Sequence, residues 1–113
     1  MTATRPEGVR RYAKPIVVPE RLDLLTGPVS GAVELPRHLK WSGNPRYDLD
    51  APGRILDMYR TVINEAATPE DLHAYLNAAV LTILWRTMWL PLATRRAWEE
   101  QFPQLHDLPE VAA

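Results

Sequence analysis

The chain has 113 residues with 13 basic and 14 acidic side chains, a net charge of −1, eleven prolines and no cysteine. This length makes one domain, and a small one with little core to spare. Near-neutral charge excludes a dominant nucleic-acid or membrane field over the whole chain, and the lack of cysteine excludes disulfide staples and thiolate metal sites and fits a reducing cytoplasm.

No run approaches the ~18 apolar residues of a membrane span, and the N-terminus carries no apolar signal core. A soluble, cytoplasmic chain is therefore expected. Arginine outnumbers lysine eleven to two, a bias typical of GC-rich genomes.

The chain changes character near Pro52. Seven prolines (Pro6, Pro15, Pro19, Pro28, Pro36, Pro45 and Pro52) lie at or before that point, where they block helix and central-strand hydrogen bonding. Residues 1–52 carry eight basic against six acidic side chains, whereas residues 53–113 carry five against eight. The two halves are thus oppositely charged, which suits mutual contact. Residues 1–32 are expected as a flexible or extended arm, 33–105 as a compact, mainly helical domain with an irregular lid over 35–50, and 106–113 as a frayed tail. The predicted fold is mainly α: a small bundle of three to four helices behind a Pro-rich arm with at most short strands.

Within the arm, Arg10, Arg11 and Lys14 form a basic cluster. Ile16, Val17 and Val18 lie between two prolines and read as an edge strand or an extended segment able to lie on a partner. Glu20 through Leu25 suits a helical turn or two before Gly27 and Pro28. Val33 and Leu35 alternate with Glu34 as a short strand ended by Pro36. In LPRHLKWSGNPRYDLD, Trp41 and Tyr47 flank a Ser-Gly-Asn-Pro turn. Such aromatics can staple an extended segment onto a helical surface. Arg37, Trp41, Arg46 and Tyr47 are also of the residue types that concentrate binding energy at interfaces. With Ile16, Val17 and Val18 they are the candidate partner-binding residues.

The second half follows helical grammar. Asp50 is placed to cap a helix over about 52–66, with Ile55, Leu56, Tyr59, Val62, Ile63 and Ala66 on one apolar face. Thr68 and Pro69, followed by two carboxylates, mark a second start. This helix either runs to about Met88 or breaks near Asn77, which tolerates a left-handed C-cap. Trp85, Met88, Trp89 and Leu90 are expected mainly in the core. Pro91 begins a last helix, stopped by Pro103.

The chain carries no phosphate loop, HExxH or G-x-S-x-G motif. Asp48 and Asp50 read as turn and capping residues. His38, His73 and His106 are too far apart for a ligand set or dyad, and His73 reads as solvated. No catalytic residue, cofactor or metal site is assigned, and an enzyme is not expected.

The blocks LPRHLKWSGNPRYDLD, MYRTVINEA, TPEDLHAYLN and WLPLATRRAWEEQFP resemble a family of short actinobacterial proteins with an LPxxLxWS segment, a DLxD turn and an LPxxxRxxW ending. The resemblance covers about residues 33–105. It departs at MYRTV and LWRTMWLP, where the apolar positions are kept. It implies an antitoxin partnering nucleotidyltransferase-type toxins of the AbiE class, a reading of the toxin-antitoxin kind in which the arm would occlude the toxin. The alternatives are a DNA-binding regulator using Arg10, Arg11, Arg95 and Arg96, although no basic recognition helix is evident, and a self-associating accessory protein or homodimer using its Trp-rich face.

Overall fold

A computed structural model describes residues 15–106. The expectations for Arg10, Arg11 and Lys14, and for the tail beyond His106, lie outside these residues. The chain is mainly α, as its patterning predicts, with a short two-stranded antiparallel sheet. The strands are β1 (Ala32–Glu34) and β2 (Arg46–Asp48). The helices are α1 (Arg54–Glu65), α2 (Pro69–Tyr75), α3 (Ala78–Leu84), α4 (Leu92–Gln101) and α5 (Pro103–His106), with 3-10 turns at Leu22–Leu24 and Trp85–Thr87. The described residues hold five helical segments: the chain breaks at Asn77, and Pro103, while ending α4, opens a further turn.

α1 forms where its apolar spacing puts it, but its buried side is Met58, Tyr59, Val62 and Ile63, with Ile55 and Leu56 only partly covered. Its N-cap is Gly53, at φ +78°, a conformation that favours glycine. Asp50 does not cap α1. Its carboxylate instead accepts the Gly31 N–H at 3.2 Å, holding the start of β1 beside the end of β2.

Thr68 is the N-cap of α2 and Pro69 its first residue. The Asp71 carboxylate accepts the N–H groups of Ala67 (2.9 Å) and Thr68 (3.3 Å) and lies 2.9 Å from His38 Nε2. Burial would raise the Asp71 pKa, but these hydrogen bonds from Ala67, His38 and Thr68 outweigh it and hold the carboxyl below its ordinary value. A lowered folded-state pKa stabilises the fold at every pH above the ordinary carboxylate value, and this contribution disappears as pH falls through the folded value. Asp71→Asn is therefore expected to cost about 1 kcal/mol near neutrality, and the gap to the unmodified chain should close as unfolding midpoints are followed into acid.

The break between α2 and α3 is extended at both Leu76 and Asn77. Asn77 is thus not a left-handed C-cap. It is the N-cap of α3, accepting from the N–H groups of Ala79 (3.0 Å) and Val80 (3.2 Å), while its own N–H donates to the Tyr59 hydroxyl at 2.8 Å. Asn77→Ala should lower stability by about 1 kcal/mol, read from the urea midpoint, whereas Asn77→Asp should largely preserve it.

The arm from Pro15 onward packs on the helices. Val17 and Val18 lie against the core and Leu25 is buried within it. Thr26 bridges Asn77; its N–H donates to His73 O (3.2 Å), Gly27 N–H donates to Leu76 O (2.7 Å), and Ala78 N–H donates to Leu25 O (3.0 Å). These bonds satisfy groups that the break between two short helices would leave without partners. His73, expected to be solvated, has its Nε2 buried.

The hairpin pairs Ala32 with Asp48, Val33 with Tyr47 and Glu34 with Arg46. Leu35, Leu39, Tyr47 and Leu49 descend from the 35–50 segment into the core, so the lid is anchored at four points. Another part of the core is aromatic: the rings of Trp85 and Trp98 lie 5.6 Å apart, and those of Trp98 and Phe102 6.2 Å apart.

Candidate functional site

α1 turns Met58, Tyr59, Val62 and Ile63 inward, which leaves Arg54, Asp57, Arg60, Thr61 and Asn64 on another face. That face and the lid residues 39–42 form the two walls of a groove of about 470 Å³. Leu39, 0% exposed, pins the lid wall. Tyr47 closes the groove from below: its hydroxyl lies 3.3 Å from Thr61 Oγ1, and the Arg54 guanidinium sits 4.5 Å from its ring centroid. Arg54 is also paired with Asp57 at 3.0 Å.

Two large aromatics stand on this side of the molecule in solvent. Trp41 lines the groove and is 73% exposed. Trp89 is 68% exposed, and Arg60 ties it to the groove by donating from Nε to Trp89 O (3.1 Å) with its guanidinium 5.8 Å from the indole centroid. Arg60 thus belongs both to the groove wall and to the Trp89 ledge. Exposed tryptophan is costly to hydrate, and its pairing with arginine is the composition of binding hot spots.

The residues singled out from sequence separate into two sets. Trp41, Arg37 and Arg46 are exposed on the hairpin segment, and Ile16 is 43% exposed. Tyr47, 2% exposed, is the groove's floor and a core residue, so the stapling role falls to Tyr47 with Leu39 while Trp41 stays in solvent. Val17 and Val18 pack against the chain's own core. The pattern assigned no role to Lys40, Arg54 and Arg60, and it grouped Trp89 with the buried stretch. Trp89 lies four residues after Trp85, so helical spacing groups it with Leu81, Trp85 and Met88; the helix instead ends in the 3-10 turn Trp85–Thr87 and the chain is extended at Met88, so spacing carried no signal for the exposure of Trp89.

Arg95, a candidate for nucleic-acid contact, is occupied internally. Its guanidinium donates to Trp85 O at 3.3 Å and to Met88 O, and lies 4.8 Å from the Trp85 ring centroid. His38 engages Asp71. Among the described residues no group of three or more His, Asp or Glu side chains is placed to hold a metal ion, and no helix is long and apolar enough to cross a membrane. What the groove offers chemically is aromatic surface, cations and hydroxyl and amide groups arranged for binding. No protein-family model matches the chain, and no curated protein or solved structure matches it.

Proposed function

We propose that this chain is a non-enzymatic interaction protein whose docking face runs from Trp41 across the α1 groove to Trp89, and that it acts as an antitoxin inhibiting a nucleotidyltransferase-type toxin. The observation that carries the interaction reading is the pair of solvent-exposed tryptophans, 73% and 68% exposed, joined through Arg60 on one face of a domain whose core is already filled. The toxin class is supported by the resemblance over residues 33–105. The docking element assigned here is the groove rather than the Ile16–Val18 tripeptide, because Val17 and Val18 already cover the chain's own core.

The test is co-expression with the product of the adjacent gene, followed by affinity capture and a growth assay. The unmodified chain should co-purify and restore growth. Trp41→Ala and Trp89→Ala should each weaken the complex by about 2 kcal/mol or more, as interface tryptophans do, while the unfolding midpoint of the free Trp41→Ala chain stays within about 0.5 kcal/mol of the original. Retention of full rescue by the double variant would contradict the assigned face.

A further inference from the structure

We propose that the α1 groove is an acceptor for an acidic peptide segment of the partner, one that carries one or two carboxylates next to an apolar side chain. This rests on the reading of the chain as a protein-binding protein and specifies what its docking face takes.

The charges that line the groove are unequally satisfied. Asp57 is held by Arg54 at 3.0 Å, and Glu65, at the far end of α1, is also engaged. Lys40 and Arg60 take part in no ion pair among the described residues. The Lys40 ammonium only approaches the Tyr47 ring, at 6.0 Å, and the Arg60 guanidinium contacts the Trp89 carbonyl and indole. The groove thus presents two unneutralised cations on facing walls, one from the lid and one from α1. A carboxylate is the ligand that such a pair attracts, and arginine receives it with paired N–H donors. Trp41, on the lid wall next to Lys40, supplies the apolar platform, so an acid flanked by a leucine or an aromatic residue satisfies both features at once.

Single-stranded nucleic acid would also bring anions to cations and bases to tryptophan. The surrounding charge disfavours it. Arg37 and Arg46 share the hairpin segment with Glu34, Asp48 and Asp50, the groove itself contains Asp57 and Glu65, and the whole chain is at −1. A long polyanion would meet these carboxylates along most of its path, whereas a short acidic segment has only one or two carboxylates to place, and Lys40 and Arg60 stand on facing walls to receive them.

The test uses the full chain, immobilised, to select from a random displayed peptide library, with counter-selection on a Lys40→Glu/Arg60→Glu chain of unchanged circular dichroism. The recovered peptides should contain Asp or Glu next to Leu, Phe or Trp, quench Trp41 fluorescence on binding, and lose about tenfold in affinity on Lys40→Gln or Arg60→Gln. Lys40→Gln alone keeps the test intact should Arg60→Gln disturb folding, because the Lys40 ammonium takes part in no ion pair among the described residues and only approaches the Tyr47 ring, at 6.0 Å. Recovery of neutral or basic peptides, affinity indifferent to Lys40, or tighter, Lys40-dependent binding of an oligothymidylate would overturn the proposal. The selection needs no toxin. A toxin complex without acidic preference removes only the groove chemistry, and acidic peptides without a toxin complex remove only the toxin assignment.

Discussion

Replacing Trp85 with alanine should destabilise the chain by about 3–5 kcal/mol, the cost of emptying a core site of that size. Trp85 is 0% exposed and three groups depend on it. Its ring packs on Trp98, its Nε1 donates to Glu99 Oε2 at 2.8 Å, and its face carries the Arg95 guanidinium. Truncation leaves a cavity beside Trp98 and a largely enclosed carboxylate short of one donor, although Arg95 remains 3.6 Å from Glu99. Against a total stability of about 5–15 kcal/mol for a domain of this kind, such a loss is a large fraction. Trp85→Phe separates the terms: it keeps most of the packing and removes the indole N–H, so a loss of about 1–2 kcal/mol is expected. Urea unfolding followed by circular dichroism measures both. A change below about 1 kcal/mol for the alanine variant would be incompatible with Trp85 as the centre of this part of the core.

Gly27→Ala should also destabilise, although glycine-to-alanine changes at permissive positions stabilise by restricting the unfolded chain. A Cβ at residue 27 would lie 2.5 Å from the Tyr75 carbonyl carbon and 2.8 Å from both Ala74 O and Leu76 N. All three are backbone atoms, with no flexible side chain to move aside. The arm would have to withdraw from the α2–α3 corner, straining the bonds from Gly27 to Leu76, from Thr26 to His73 and from Ala78 to Leu25. The overpacking costs about 1–3 kcal/mol, and each hydrogen bond lost adds about 1 kcal/mol. The signature is local as well as global: amide exchange at Thr26, Gly27 and Ala78 should accelerate more than exchange within α1.

The parts of the fold legible in the sequence are those set by neighbours along the chain. The α1 helix, the Thr68–Pro69 start and the boundaries at Pro91 and Pro103 each follow from spacing or capping within a few residues, whereas at Asn77 the sequence left a break and a continuous helix both open. The less legible parts depend on residues distant in sequence. Asp50 had a helix start close by in the chain, yet its carboxylate reaches back to Gly31, and His38 meets Asp71 across 33 positions. The glycine at position 27 looked like a stop signal, and its packing role depends on a corner formed some fifty residues later. The candidate site divides in the same way. Trp41 was visible from residue type alone, whereas Lys40, Arg60 and Trp89 acquire meaning only when the lid and α1 stand opposite each other.

The measurement that bears most directly on the docking face is hydrogen–deuterium exchange of the chain alone and bound to its proposed partner. Protection concentrated at residues 39–42, along α1 and around Trp89 is the predicted result. Protection confined to residues 16–18 or to α4 and α5, with the groove exchanging as in the free chain, would contradict it.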